Sequence, residues 1–410
     1  MRLFAFQGIR YRSPDAASRL AAPPFDQIGN ELRERLQASH SHHFTHLTRA
    51  VASERECAPA RAARLHAEWL TGGIIQRDKQ PALYPYAIEL ADGSRRLGVC
   101  GLVGIEPPRS SAIRPHEHTV ARTVAERLDL LRAVQADLEP ILLLSDDRGD
   151  LDPLLERAIE EGLPEVAAHR DPDGHLHRLF RLDNPSRISD LRAAIAGRDG
   201  VIADGHHRYR VAQLHAEEVG AREGATSCKL AVVTSLAAPA LTIEPIHRHL
   251  VNGLGEADPG AVVASRRTAE AEGGAALARL VEAAPQPALA VWRPGNDAEV
   301  WTLEPRVAPR RFGAAANDLA VVLFHTAVLA GLGLGEECWT DGSVEYHADA
   351  DRLYERVAAR GGTGFWTPPM PPEAFAAAVA HGDLLPPKST RFVPKLVSGL
   401  VWGAHDSVLA

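Results

Sequence analysis

The chain has 410 residues, 45% of them hydrophobic, and its 45 Lys and Arg against 53 Asp and Glu give a formal net charge of −8. This length favours two or three structural units with at least one sizeable core. The acidic balance disfavours non-specific binding of nucleic acid, although a local basic cluster can still bind small anions. Because the sequence has no run of about 18 apolar residues and no signal-peptide pattern, we expect a cytoplasmic protein without membrane segments.

The first part of the chain shows helix and strand patterns in turn. After the Pro23-Pro24 break, a helix is predicted from Asp26, its N-cap, through Leu36. The predicted elements that follow are a helix over 58–70, a hairpin of strands 86–90 and 97–105, a helix over 119–136 and a buried strand over 140–144.

The later patterns decide the fold class. A helix over 189–196, a strand over 201–203, a helix through Ala216 and a strand over 229–236 indicate an α/β layer. The remaining predicted elements are a hairpin over 288–293 and 299–303 and helices over 317–330 and 372–380. Because hairpins accompany the α/β layer, we expect a mixed α+β fold instead of a purely parallel sheet.

A domain boundary is predicted where the composition changes. Residues 256–284 are rich in Ala and Gly with few aromatic residues, which indicates a helical excursion or the edge of an inserted subdomain. We therefore expect an N-terminal α+β region over 1–255 and a C-terminal α+β region over 256–410.

The sharpest local motif is Asp204-Gly205-His206-His207-Arg208, at the junction of a predicted strand and helix. The unpaired amides and the dipole at a helix N-terminus stabilise an anion. Gly205 permits close approach of a phosphate, Arg208 can offer a bidentate fork, and the histidines add donors or a group that titrates near neutral pH. The motif predicts a phosphate site, with the alternative that Asp204 only caps the helix.

A second motif, His116-Glu117-His118-Thr119, precedes the helix predicted over 119–136. A glutamate held at the mouth of a helix can act as a general base on a hydroxyl group. The alternative is that Glu117 and Thr119 only serve the helix start. The histidine spacing matches no zinc motif, and the cysteines form no CxxC pair, so we expect no metal site built by side chains and expect free thiols.

The third motif is a basic segment near the C-terminus, from Lys388-Ser389-Thr390 to Lys395. Its cations and hydroxyls, in an otherwise acidic chain, predict a site for a polyphosphate or a carboxylate. The alternative is a solvated basic loop. His247-Arg248 is a weaker element, in which His247 can equally be a satisfied structural histidine.

These motifs, in this order, resemble the bacterial and archaeal family catalogued as domain of unknown function 1015. The resemblance extends over nearly the whole chain and is carried by 6–11, 22–26, 116–119, 204–209, 245–248 and 387–399. More distantly, Pro-His-Glu followed by Asp-Gly-His-His-Arg is similar to free-serine kinases of the ParB/sulfiredoxin-like fold. This second resemblance implies a ParB/sulfiredoxin-like core with a further C-terminal α+β region.

The resemblance to free-serine kinases also implies a chemistry. Glu117 would be the base on the acceptor hydroxyl, and Asp204 to Arg208 would hold the donor phosphates. We therefore expect a small-molecule phosphotransferase, with L-serine as the first acceptor, with ATP, ADP or pyrophosphate as donor and with Mg²⁺ bridging the phosphates.

The expected site residues fall into three groups. The catalytic group is Glu117, His206 and His207; the donor-binding group is Asp204, Gly205, Arg208, Lys388, Ser389, Thr390 and Lys395; the acceptor-binding group is His116, Thr119, His247 and Arg248. The alternatives are a ParB-like nucleotide-binding regulatory module and a phosphoserine phosphatase. The oligomeric state is left open.

Overall fold

The computed structural model describes residues 1–107, 110, 112–238, 240–255, 257–308 and 312–410. These residues form two compact units. The first comprises Met1–Pro115, Thr119–Leu241 and Pro394–Ala410, and the second comprises His116–His118 and Thr242–Val393.

The first unit is built around a large mixed β-sheet with the strand order β6-β11-β8-β12-β5-β4-β10-β9, in which β1 also pairs with β5. The strands of the first unit, inside and outside this sheet, are β1 Leu3–Phe4, β2 Ile9–Tyr11, β3 Ile75–Arg77, β4 Tyr84–Glu89, β5 Arg95–Gly104, β6 Ile113–Arg114, β7 Ala136–Asp137, β8 Ile141–Ser145, β9 Glu165–Arg170, β10 Leu176–Phe180, β11 Gly200–Asp204 and β12 Cys228–Ser235. Its helices are α1 Pro14–Leu20, α2 Asn30–Ser39, α3 Thr45–Thr48, α4 Ala58–Thr71, α5 Ala121–Val134, α6 Leu151–Glu160, α7 Pro185–Ile195 and α8 His206–Glu218.

Strand pairing in this sheet combines parallel and antiparallel ladders. β12 pairs in parallel with β8, whereas β11 pairs antiparallel with β8 and β5 pairs antiparallel with β12. β8 and β12 are buried along their whole length, as expected for strands covered on both faces. The core around them includes aliphatic side chains of β5, β8, β12, α6 and α7. The mixed α+β class is therefore confirmed.

The second unit contains an antiparallel sheet with the order β15-β17-β16-β19-β14-β18, beside a separate β13-β20 pair. Its strands are β13 Thr242–Glu244, β14 His247–Leu250, β15 Val263–Ala269, β16 Ala288–Trp292, β17 Ala298–Leu303, β18 Val344–His347, β19 Thr363–Trp366 and β20 Arg391–Val393. Its helices are α9 Gly274–Glu282, α10 Ala314–Asn317, α11 Ala320–Leu323, α12 Leu329–Gly331, α13 Ala350–Arg360 and α14 Pro372–His381. After them, β21 (Gly403–Ala404) pairs with β7 in the first unit.

The limits of the two units differ from the sequence-based boundary between 255 and 256, and Glu256 itself lies outside the described residues. Strand pairing explains the difference. β14 pairs with β18 and β19, which places 242–250 in the second unit. In the first unit, Ala22 bridges Ser398 and Ile9 bridges Trp402, so the closing segment 394–410 belongs there.

Both predicted hairpins and most predicted helices are confirmed, but three local expectations are wrong. Asp26 lies in a 3-10 turn over Phe25–Gln27, and α2 is capped by Gly29, because the amide of Phe25 donates to Glu139 Oε1 at 3.0 Å. The helix expected over 317–330 is broken into short pieces with a π-helical turn at Phe324–Val328.

The third concerns the helical interpretation of 256–284: the described part of this range contains the strand β15 as well as the helix α9, so it is not helical throughout. β15 is an edge strand with mostly exposed side chains, so it lacks the apolar alternation that identifies a strand. Among the described residues, no helix combines the length and the hydrophobicity that crossing a membrane requires.

Candidate functional site

In the second unit, the carboxylate of Glu117 is held by the turn that carries Lys388, Ser389 and Thr390. Glu117 Oε1 accepts hydrogen bonds from the amides of Ser389 at 3.0 Å and Thr390 at 3.2 Å, and from Thr390 Oγ1 at 3.3 Å. Glu117 Oε2 has no hydrogen-bond partner among the described residues, and the side chain is 14% exposed. One carboxylate oxygen is thus fixed, while the other remains available.

The turn owes its shape to a left-handed residue and to a buried arginine. Lys388 has φ +58°, an uncommon conformation for a residue with a side chain, and the two amides that follow it point at one anion. Arg248 Nη2 donates to Lys388 O at 2.8 Å, and Arg248 Nη1 donates to Ile246 O. Burial lowers the pKa of Arg248 to about 10, so its guanidinium stays charged at neutral pH.

His116 supports the same turn from the other side. It is fully buried, and its Nε2 lies 2.7 Å from Thr390 Oγ1. The ring meets Phe375 edge-on, with 4.9 Å between the ring centroids. His116 and Arg248, expected to contact an acceptor, therefore lie within the packing that positions Glu117.

The hydrogen-bond donors of this turn, including the hydroxyl of Ser389 that was expected to bind phosphate, are directed at protein acceptors. Ser389 Oγ donates to Pro386 O at 2.7 Å, and both backbone amides of the turn are used by Glu117. The Lys388 side chain is exposed. Of the donor-binding residues expected here, Lys388 is the one whose charged group faces solvent.

His247 has the geometry of a satisfied structural histidine, the alternative left open by the sequence. It is 1% exposed, and its Nδ1 accepts a hydrogen bond from the amide of Thr367 at 3.3 Å. Burial lowers the pKa of His247 to about 3, so the ring is neutral. It is not accessible to a substrate in this arrangement.

A cavity of about 220 Å³ lies beside the same turn and includes Ser389 in its lining. Its other lining residues include Ile246, Asp318, Met370 and several prolines of the 368–371 segment. Pockets for drug-sized ligands span roughly 300–1,000 Å³. The cavity therefore suits a smaller metabolite.

In the first unit, the motif after β11 forms a strand–turn–helix junction as expected. Gly205 has φ +97°, and a Cβ there would lie 2.6 Å from Ile141 Cγ2, so the position requires glycine. α8 begins directly after it at His206. The structure brings Asp204, Gly205, Arg208 and Lys395 together at this junction.

The charges at this junction neutralise one another. Arg208 Nη2 lies 2.5 Å from Asp204 Oδ2, and Lys395 Nζ donates to Asp204 Oδ1. Burial favours a higher pKa for Asp204, but the Lys395 ammonium and then the Arg208 guanidinium outweigh it and hold the pKa below its ordinary value. One carboxylate between two cations leaves a single net positive charge.

Arg208 does not present the expected free fork. Its side chain is 8% exposed, and its Nη1 donates to Pro140 O. Its Nε is buried and has no hydrogen-bond partner among the described residues. The guanidinium faces the interior of the first unit, because it lies on the buried side of α8 with Val211 and Ala212.

The remaining residues of the two early motifs lie close to the start of α5. His207 Nε2 accepts a hydrogen bond from the amide of Val120, the residue before α5, at 2.9 Å. Thr119 is exposed, and His206 is buried at the first position of α8. His207 thus contacts the helix start, a role that the alternative interpretation of the sequence gave to Glu117 and Thr119.

Sequence reasoning missed a group of buried charges next to Arg208. Lys229 Nζ contacts Asp137 Oδ1 and donates to Glu139 O at 3.0 Å, and Glu139 Oε1 accepts from Ser398 Oγ at 3.0 Å. Together with Arg208 they line a cavity of about 40 Å³. The signal was present, since a charged residue inside an apolar strand such as β12 is rarely left without a partner.

Three solved structures similar to the chain are distant in sequence. A conserved hypothetical protein from Pyrococcus furiosus is 14% identical with a TM-score of 0.36, covering 76% of this chain and 94% of that one. A free serine kinase in complex with AMP is 14% identical with a TM-score of 0.37, covering 73% and 92%. SbnI from Staphylococcus aureus, with a C-terminal truncation, is 13% identical with a TM-score of 0.37, covering 73% and 85%.

The chain matches a family model over most of its length. None of the curated proteins compared with the chain matches it. The model described as protein of unknown function (DUF1015) matches residues 3–290, well over half of the 410 residues. The chain therefore belongs to the DUF1015 family.

Proposed function

We propose that the chain is a phosphotransferase that transfers a phosphoryl group to the hydroxyl of a small metabolite, with L-serine as the first acceptor to test. ATP, ADP and pyrophosphate are the candidate donors. The observation that carries the proposal is the carboxylate of Glu117, anchored through Oε1 and without a hydrogen-bond partner at Oε2 among the described residues.

This arrangement suits a general base. A base must hold a lone pair in a fixed direction, within about 2.6–3.2 Å of the oxygen that carries the proton it removes. Donors from the Ser389–Thr390 backbone and the Thr390 hydroxyl restrict rotation of the carboxylate, which leaves Oε2 to accept the hydroxyl proton. The cavity of about 220 Å³ beside Ser389 is the proposed acceptor pocket.

Donor binding is assigned to the junction of β11 and α8 in the first unit. The amides at the start of α8 and the conformation of Gly205 favour a phosphate there. Mg²⁺ would neutralise charge on the transferred group. Asp204 does not fit as its ligand, because its carboxylate is enclosed between two cations, Arg208 and Lys395, which neutralise it.

The decisive experiment compares the parent protein with Glu117→Gln. A glutamine can keep its amide oxygen at the Oε1 position and place its amide nitrogen where Oε2 lies, so the turn should remain intact. We expect donor affinity to persist and acceptor-dependent turnover to fall about 10²-fold or more. Glu373→Gln, an exposed change on α14, is the matched control and should behave as the parent.

The assay combines Mg²⁺, each donor and L-serine or a panel of other hydroxyl compounds, with mass spectrometry of the products. Phosphoserine formation that depends on Glu117 supports the proposal. Binding of nucleotide with no phosphorylated product from any acceptor would instead identify a regulatory module. Release of phosphate from phosphoserine, without donor-dependent phosphorylation, would identify a phosphatase.

A further inference from the structure

Three potential metal ligands lie together on one face of the second unit's sheet. β14 and β18 are antiparallel neighbours, with His249 opposite Glu345 and His247 opposite His347. Side chains two residues apart on a strand share a face, which places Glu345, His347 and His249 side by side. Each of the three residues offers one ligand atom, and these atoms lie within 4.8 Å of one another.

The separations fit a single ion between the three groups. His249 Nδ1 lies 3.3 Å from Glu345 Oε2, and His347 Nε2 lies 3.6 Å from the same oxygen. Zinc bonds to nitrogen and oxygen are about 2.0–2.2 Å long, so two ligands at a tetrahedral angle are about 3.4 Å apart. Both separations from Glu345 Oε2 are close to this value.

The hydrogen bonds around the ligands favour lone pairs that point inward. His249 Nε2 lies 2.9 Å from Gly361 O, which accepts its proton and leaves the lone pair on Nδ1 directed at Glu345. Gly362 permits this contact, because a Cβ there would lie 2.6 Å from His249 Nε2. His347 Nε2 is buried and has no hydrogen-bond partner among the described residues.

Two acceptors facing each other at 3.3 Å require a positive centre between them, either a proton or a metal ion. A proton shared by His249 and Glu345 would leave His347 Nε2 unsatisfied, whereas one metal ion satisfies all three groups. We propose that His249, Glu345 and His347 bind a divalent transition-metal ion of the Zn²⁺ class. This site is separate from the Glu117 turn and does not depend on the proposed phosphotransferase activity.

The surroundings define what kind of site this would be. Arg356 donates to both oxygens of Glu345, at 2.7 and 2.9 Å, which orients the carboxylate and leaves a lone pair of Oε2 for the ion. A cavity of about 480 Å³, lined by Glu345, His347, Arg352 and Arg356 among others, opens at the ligands. Three protein ligands beside an open cavity leave coordination positions for water or an anion.

The test is metal binding by the full chain after treatment with a chelator. Calorimetric titration with Zn²⁺ should show a saturable site, and Co²⁺ should give the visible absorption bands of a nitrogen- and oxygen-ligated ion. Glu345→Gln and His347→Ala should each weaken Zn²⁺ binding at least about tenfold, since even indirect supports of metal ligands contribute that much. Glu355→Gln, on the rim of the same cavity, is the matched control and should bind as the parent.

Circular dichroism without metal checks that each variant is folded, and a variant that is unfolded is replaced by His347→Asn. Absence of saturable Zn²⁺ binding in the parent overturns the proposal and leaves the cluster as an ion pair between His249 and Glu345. Unchanged binding in folded Glu345→Gln and His347→Ala also overturns it, because the ion would then be held elsewhere. Mg²⁺ binding at the same residues with no preference for Zn²⁺ contradicts the assigned metal class.

Discussion

Replacing Arg208 with methionine should destabilise the first unit, because its guanidinium is engaged in the interior. Arg208 Nη2 lies 2.5 Å from Asp204 Oδ2, Nη1 donates to Pro140 O, and the side chain is 8% exposed. Methionine retains most of the side-chain length but makes neither contact. The substitution therefore separates a structural role for Arg208 from a role in holding a ligand.

The size of the effect follows from what is left unpaired. Removing one partner of a buried ion pair costs about 3–5 kcal/mol, and leaving a buried carbonyl such as Pro140 O unsatisfied costs about 1–3 kcal/mol. Lys395 still neutralises Asp204 in the variant, which keeps the total toward the low end. We expect the free energy of unfolding to fall by about 3 kcal/mol.

Urea unfolding followed by circular dichroism measures this loss. Arg210→Met is the matched control, because Arg210 lies on the same helix and is partly exposed. Among the described residues, its side chain forms a hydrogen bond only with Gln213, at 3.4 Å. This substitution should change the free energy of unfolding by no more than about 0.5 kcal/mol. Adding Asp204→Asn to Arg208→Met should cause less than the sum of the two single losses. If Arg208→Met unfolds within about 1 kcal/mol of the parent, the ion pair does not stabilise the fold and the reasoning fails.

Three further outcomes can be measured. Burial lowers the pKa of His66 to about 4, so the unfolded chain binds more protons than the folded chain as the pH falls below about 6.5. The free energy of unfolding should therefore decrease between about pH 6.5 and about pH 4. His66→Gln, which can still accept a hydrogen bond from Trp402 Nε1, should make this slope shallower in urea titrations at several pH values. A thiol reagent should modify Cys57 rapidly in the native protein and the other cysteines only after unfolding, because those three are buried: Cys100, Cys228 and Cys338. Gly205→Ala should lower the free energy of unfolding by about 1–3 kcal/mol, because alanine disfavours φ +97° and its Cβ would crowd Ile141; a melting temperature equal to that of the parent would contradict this.

Sequence patterns were sufficient to predict the elements that are determined by residues close to one another in the sequence. The hairpin of β4 and β5 follows from alternating apolar runs around a Gly turn, and the junction of β11 and α8 follows from an apolar strand that ends at Asp204-Gly205. In both cases the deciding residues are neighbours in sequence. The prediction that a helix starts at Asp26 was wrong for the opposite reason. The amide of Phe25 donates to Glu139, 114 positions away, and this contact fixes the chain there.

The candidate site was only partly predictable, because its contacts join distant positions. Glu117 and Thr390 are 273 positions apart, and Asp204 and Lys395 are 191 apart. The sequence identified these residue types but not which of them pair. The orientation of Arg208 could have been predicted, since Arg208, Val211 and Ala212 have the i, i+3, i+4 spacing of a buried helix face.

The division of the chain also affects how it folds during synthesis. The second unit is encoded within the first, between β12 and the closing segment Pro394–Ala410. When the ribosome has finished Val393, the first unit still lacks Trp402, a fully buried side chain, and the strand β21 that pairs with β7. A nascent or truncated chain that stops there would expose the apolar surface that Trp402 covers, and would be a substrate for chaperones and proteases until residues 394–410 are added.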